Sequence, residues 1–121
     1  DLLSIDYTSA YSTPSLDKLV RTFVYDRQGK GSFTVGDEFT ANAPIRFETA
    51  ITTQANWKII DDTHLLLTTG TEQMTVTIEA SGKVAFTSET IEVNSPAYTR
   101  IGISLKEQSK DGYIRLTMRT K

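Results

Sequence analysis

The fold class is decided by residues 101–118, which read IGISLKEQSKDGYIRLTM. Apolar and polar residues alternate over 101–106 and again over 114–119. A period of two is that of a β-strand with one buried face and one solvent-exposed face. Between the two runs, Asp111-Gly112 predicts a hairpin turn, because Asp and Gly tolerate the positive φ of a type I′ turn. The stretch therefore predicts two strands joined by a tight turn.

The same pattern extends outward through the chain, which is rich in β-branched residues and contains 19 threonines among 121 residues. Such residues lose rotamer freedom in helices and pack well on pleated sheets. Turn signals recur at short spacing and delimit strands at 3–11, 17–26, 31–38, 45–53, 57–60, 64–68, 72–80, 83–87, 90–93, 98–107 and 112–120, some of them continuous. The sequence predicts an all-β domain, an antiparallel β-sandwich of about nine or ten short strands, with a barrel as the other architecture of this pattern.

The segment from Pro14 to Tyr25 fits two structures. Thr13 can cap a helix that has Pro14 at its first position. However, residues 21–25 read RTFVY and are rich in β-formers, and residues 19, 21, 23 and 25 fit strand alternation. We expect a strand.

Composition limits the classes of function. Hydrophobic residues make up 38% and charged residues 23% of the chain, which suits one domain over residues 1–121. The net charge of −2 argues against nucleic acid and polybasic membrane binding. No cysteine is present, and no apolar run approaches a membrane span. Because the sequence begins at Asp1 without a signal-like segment, we expect an excised piece of a larger protein or a mature product.

Residues that could perform catalysis or bind a metal do not form a recognisable motif. His64 follows Asp61-Asp62, but adjacent aspartates point in different directions, so we interpret the group as a turn before a strand and expect no metal. Four carboxylates are candidates for a general acid and base, but nothing in their spacing forces any two to face each other: Asp26, Asp37, Glu38 and Glu48. We expect no catalytic residue and no cofactor.

Three aromatic residues and one basic group are candidates for binding. Tyr7, Tyr11 and Trp57 could stack on sugar rings, although core packing is the usual role of aromatics in a sandwich. Arg115, Arg119 and Lys121 lie on one side of the last strand. They could form a basic strip for an anionic polysaccharide, but we interpret them as charges that protect an edge strand from aggregation.

The order of four short motifs resembles the C-terminal β-sheet region of heparinase II/III-like polysaccharide lyases. The motifs are DYTSAY at 6–11, LVRTFVY at 19–25, GSFTVGDEF at 31–39 and FETAITT at 47–53. In that family a D-x-T-x-A-Y strand leads to a strand that bears an arginine. A strand ending in aspartate and a strand with Glu or His near its end follow. The resemblance covers residues 5–53 and fades after Trp57.

The resemblance implies a domain that is inactive alone. Lyases of this family cleave acidic polysaccharides by β-elimination, with their catalytic Tyr, His and Asn on an N-terminal helical toroid that this sequence lacks. Thr52 and Thr53 stand where some members carry a metal-binding histidine, so no catalytic or metal residue is carried over. The implied partners are the helical catalytic domain and an acidic polysaccharide. The implied location is periplasmic or extracellular.

Arg21 lies on an otherwise apolar strand and needs a partner, because an unpaired buried guanidinium is costly. Asp6 and Asp37 are the candidates for a structural ion pair. Two other functions remain open: a stand-alone carbohydrate-binding module and a small lipocalin-like barrel. An accessory domain should expose an apolar patch, a binding module should expose a row of aromatics, and a barrel should enclose an apolar cavity.

Overall fold

The computed structural model describes residues 2–6, 8, 14–92 and 97–120. These residues form ten strands, all paired antiparallel. The strands are β1 (Leu2–Asp6), β2 (Leu16–Asp26), β3 (Ser32–Ile45), β4 (Glu48–Thr53), β5 (Asn56–Asp61), β6 (His64–Thr69), β7 (Glu72–Ala80), β8 (Val84–Ile91), β9 (Tyr98–Leu105) and β10 (Ser109–Thr120).

The strands form two sheets of unequal size. The large sheet has seven strands in the order β1-β2-β3-β10-β7-β6-β5, and the small sheet has three in the order β4-β9-β8. The chain passes from the large sheet to the small one between β3 and β4 and again between β7 and β8. It returns between β4 and β5 and between β9 and β10. The antiparallel sandwich expected from the sequence is therefore confirmed, and the two open sheets exclude the barrel.

One apolar core lies between the sheets. Both sheets contribute alternate residues from their facing sides: Leu19, Phe39, Leu65, Leu67, Val76, Ile78, Ile114 and Leu116 from the large sheet, and Val84, Ile101, Ile103 and Leu105 from the small sheet. Phe47, in the link between β3 and β4, stacks on Phe39 with ring centroids 4.6 Å apart. A fully buried aliphatic or aromatic side chain contributes about 2 kcal/mol through loss of water contact.

Several predicted strand limits change in the structure. The segment from Pro14 to Tyr25 contains strand β2 and no helix, as we expected. The strand predicted at 31–38 extends to Ile45, and those at 83–87 and 90–93 are one continuous strand, β8. Residues 9–11, the end of the first predicted strand, lie outside the described part of the chain.

The predicted hairpin at Asp111-Gly112 is wrong. Both residues lie inside β10, which begins at Ser109, and β9 belongs to the other sheet. The register of β10 against β3 shifts between Ser109 and Asp111, where Lys110 alone corresponds to residues 41–44 of β3, so the extra residues of this irregularity lie in β3. Asp111 and Gly112 pair regularly with Thr40 and Phe39, and Gly112 does not have a positive φ.

The edge-strand interpretation of the arginines on the last strand is also wrong. β10 is the central strand of the large sheet, with β3 on one side and β7 on the other. Arg115 and Arg119 lie on the solvent-facing side of this central strand, and Lys121 lies outside the described residues. These charges therefore do not protect an edge.

Candidate functional site

The two sheets do not cover each other completely. Residues 19, 21, 23 and 25 of β2 share the face of the large sheet that looks toward the small one. Leu19 is 3% exposed in the core, whereas Tyr25, six residues further along the strand, is 46% exposed. The small sheet therefore covers the Leu19 end of this face and leaves the Tyr25 end exposed.

The open end presents an apolar surface, which we call the apolar shelf. It consists of Leu2, Leu3, Phe23, Tyr25 and Phe33, which line a depression of about 210 Å³. Phe23 and Phe33 stack on neighbouring strands with centroids 6.1 Å apart. Leu2 and Leu3 are 72% and 57% exposed. Contiguous exposed apolar surface of this kind marks interaction sites in soluble proteins.

An ion pair lies at the border between the core and the apolar shelf. The Arg21 Nε and Nη2 donate to the two carboxylate oxygens of Asp37 at 2.6 and 2.9 Å. The residues are directly opposite each other on β2 and β3, and Asp37 is 3% exposed while the Arg21 side chain is 30% exposed. The bidentate geometry compensates the desolvation of the carboxylate. The structure thus joins two of the three residues considered for this pair.

Asp6, the third residue proposed for this ion pair, makes a different contact. It is opposite Val20, so its side chain points to the other face of the sheet from Arg21. Its carboxylate accepts hydrogen bonds from the backbone N–H and hydroxyl of Thr8 at 2.9 and 2.6 Å, and these bonds lower the pKa of Asp6. The Thr8 hydroxyl in turn accepts the N–H of Leu19 at 2.8 Å. This chain of bonds fixes the end of β1, which carries Leu3 of the apolar shelf, to β2.

The remaining candidates lie apart from the shelf. Trp57 is half-buried on edge strand β5 and packs against the core. Tyr7 and Tyr11 lie outside the described residues. Asp61 and His64 bracket the tight turn between β5 and β6, where His64 Nδ1 lies 2.8 Å from the Asp61 carboxylate. The hydrogen bonds from Thr63 and His64 lower the pKa of Asp61, which is therefore a turn-stabilising group.

The four carboxylates considered for acid–base catalysis do not converge. Asp37 and Glu38 are adjacent in one strand and project to opposite faces, and Glu48 lies in the other sheet, 3.0 Å from Arg100. Asp26 accepts the backbone N–H of Gln28 in the β2–β3 turn. Over the described ranges, no three His, Cys, Asp or Glu side chains are grouped to hold a metal. Over the same ranges, no helix has the length and hydropathy to cross a membrane.

Sequence reasoning missed the residues of the apolar shelf. Phe23, Phe33 and Leu3 occupy the inward positions of strands and have the pattern of core residues. No sequence signal separates them from core residues, because the size of the opposing sheet follows only from the strand order. The fold defines the chain as an antiparallel β-sandwich, and comparison with known proteins found no matching family model and no matching curated protein.

Proposed function

We propose that this chain is the non-catalytic C-terminal β-sandwich of a heparinase II/III-like polysaccharide lyase. In this proposal the domain docks on the helical catalytic domain of the same polypeptide through the apolar shelf. It borders the groove that holds the acidic polysaccharide, and it performs no β-elimination alone. By the same family analogy the protein is periplasmic or extracellular.

The observation that carries the proposal is the apolar shelf. A sandwich that functions alone gains stability by covering the inward face of its large sheet, because each exposed apolar side chain forgoes its burial energy. Here the described residues leave open the end of that face formed by β1, β2 and β3, and this end carries the stacked rings of Phe23 and Phe33. Such a surface fits a second structural layer supplied by another domain.

The placement of the resembling motifs adds support. The second and third motif segments lie on β2 and β3, which are neighbours in the large sheet, and the fourth lies on β4 of the small sheet. Of the first motif, the structure describes Asp6, the last residue of β1, and Thr8. The arginine and aspartate of the second and third motifs form the Arg21–Asp37 pair at the edge of the shelf. The second and third motifs are therefore adjacent in the large sheet, beside the proposed docking surface.

The enzymatic part of the proposal is tested with the full-length gene product and the 121-residue chain side by side. Each is incubated with heparin, heparan sulfate, chondroitin, hyaluronan and alginate, and the ultraviolet absorbance of unsaturated uronate products is followed. We expect product from the full-length protein and none from the chain alone. Product from the chain alone would contradict a non-catalytic role, and no product from either would leave a carbohydrate-binding module as the better interpretation.

The docking part is tested by replacing one exposed apolar residue on the shelf and one elsewhere. Leu3→Ser removes a shelf contact, and Ile60→Ser on β5 is the matched control, since Ile60 is 50% exposed. In the isolated chain each change should alter stability by no more than about 0.5 kcal/mol. In the full-length protein Leu3→Ser alone should lower the thermal midpoint, because a leucine buried at an interface contributes about 2 kcal/mol. Equal behaviour of the two variants there would contradict docking through the shelf.

A further inference from the structure

A second concave region lies at the end of the sandwich where two connections cross between the sheets. One connection, residues 81–83, joins β7 to β8, and the other, residues 106–108, joins β9 to β10. Two adjoining depressions of about 480 and 280 Å³ open between them and share Gly82, Lys83 and Lys106. We call this region the end cleft. Its size is in the range of small-ligand sites.

The end cleft has an apolar floor and a polar rim. Its floor is made of inward residues of both sheets, among them Ile78, Val84 and Leu105, each less than a tenth exposed. Lys83 and Lys106 stand on the rim, and within the described chain neither ammonium has a carboxylate at ion-pair distance. An apolar floor with a few convergent polar groups is the usual composition of a ligand site.

The walls of the end cleft are held by hydrogen bonds. The backbone N–H of Lys106 donates to the carbonyl of Lys83 at 2.9 Å, which sets the two lysines side by side on different connections. The Ser81 hydroxyl accepts the N–H of Tyr113 at 3.0 Å, so the β7–β8 connection is fixed to β10. The Ser109 hydroxyl donates to the carbonyl of Asp111 at 2.6 Å at the start of β10. The cleft is therefore formed before any ligand binds, which lowers the entropic cost of binding.

Gly112 permits this arrangement. A Cβ placed on Gly112 would lie 2.6 Å from the Ser81 hydroxyl and 3.1 Å from the Phe39 ring. A larger residue there would push the β7–β8 connection away from β10 and widen the cleft. The Asp111-Gly112 pair, which does not form a hairpin, thus shapes one wall.

The charges on the rim define the ligand. Besides the two lysines, three exposed acidic residues line the cleft: Asp62, Glu107 and Asp111. A densely sulfated chain would meet repulsion from these carboxylates. A sugar with a single carboxylate can place that group on the lysines, offer its hydroxyls to the acidic side chains and lay its apolar ring face on the floor. Lysine binds a carboxylate as a point charge with three donors.

We propose that the end cleft binds a uronic acid residue of a sparsely charged, non-sulfated polysaccharide, with Lys83 and Lys106 holding the carboxylate. This inference rests on the proposed function, which makes an acidic polysaccharide the ligand. It adds the position of the contact, the two lysines that make it and a preference for low charge density.

The test is an amide NMR titration of the 121-residue chain with a hyaluronan tetrasaccharide, which carries carboxylates and no sulfate. We expect shifts at residues 82–83 and 106–109, and weaker binding with a neutral chitin tetrasaccharide and with a heparin tetrasaccharide. Lys83→Gln and Lys106→Gln should each raise the Kd about tenfold, the effect of losing one charged hydrogen bond. Lys58→Gln on β5 makes the same charge change away from the cleft and should leave the Kd unchanged.

Four results would overturn the inference: equal binding of the neutral tetrasaccharide, equal or tighter binding of the heparin tetrasaccharide, shifts confined to another surface, or wild-type Kd values in both cleft variants. The lyase assay separates this failure from failure of the proposed function. If the full-length protein forms uronate product but the chain does not bind hyaluronan, the binding proposal for the end cleft is rejected and the lyase proposal is kept. If the chain binds hyaluronan through the two lysines but no substrate gives product, the binding proposal for the end cleft is kept and the lyase proposal is rejected.

Discussion

The two ends of the inward face of the large sheet have similar sequences and different environments. At one end Leu19, Phe39 and Ile114 lie under the small sheet and are no more than 3% exposed. At the other end Phe23, Phe33 and Leu3 occupy equivalent inward positions but are more exposed: Phe23 and Phe33 are half-buried, and Leu3 is 57% exposed. An apolar residue at an inward position is therefore suited to burial. Whether it is buried depends on how far the opposing sheet extends.

The largest expected effect compares one phenylalanine from each end of β3. Phe39→Ala should lower the free energy of unfolding by about 4 kcal/mol, because it empties a site that is 1% exposed and stacked on Phe47. Phe33→Ala should lower it by about 1–2 kcal/mol, since that ring is only half-buried. Urea denaturation of both variants measures the difference. Equal losses would mean that the two ends are equally covered in solution.

A smaller effect tests the Arg21–Asp37 pair at the border between the two ends. Arg21→Met should cost about 3 kcal/mol, because it leaves the Asp37 carboxylate buried without its guanidinium. The double variant Arg21→Met/Asp37→Leu should cost less than Arg21→Met alone. The control is Arg115→Met, which breaks an exposed pair with Glu79 and should change stability by about 0.5 kcal/mol or less. Additive losses in the double-mutant cycle would contradict a structural coupling of the two residues.

The smallest effect concerns the attachment of β1, which brings Leu3 to the apolar shelf. The Thr8 hydrogen bonds lower the pKa of Asp6 in the folded state below its unfolded value. The resulting stabilisation is complete above about pH 4 and is lost as the pH falls through the lowered pKa. Thr8→Ala should raise the pKa of Asp6 toward its ordinary value, as read by NMR titration of its carboxyl carbon. An unchanged pKa would show that Thr8 does not hold this carboxylate.

The strand content was predictable because alternation is a local property. Leu116 alternates with Arg115 and Thr117, and that pattern alone predicts a strand with one solvent-exposed face at this position. The turn at Asp61–His64 was also predictable, since adjacent polar residues end one alternating run before another begins. The position of Arg21 in an apolar strand predicted an acidic partner, with Asp6 and Asp37 as candidates, and the strand register selects Asp37.

The candidate sites were less accessible to sequence reasoning. The apolar shelf consists of residues that have the pattern of core, and the end cleft joins residues 81–83 to residues 106–111, which are far apart in the chain. Asp111-Gly112 illustrates the difficulty, because a residue pair typical of hairpin turns lies inside β10, where Asp111 lines the cleft.

The sequence by itself determined an all-β chain, the approximate strands, their wet and apolar faces and the need of Arg21 for an acidic partner. These follow from interactions between residues that are neighbours in the chain. Only the tertiary structure decided that β9 and β10 belong to different sheets, that β10 is a central strand and that one end of the large sheet stays open. Period-two alternation indicates that one side of a strand is suited to burial. Whether that side is buried depends on the order of the strands, which is set by contacts between distant segments.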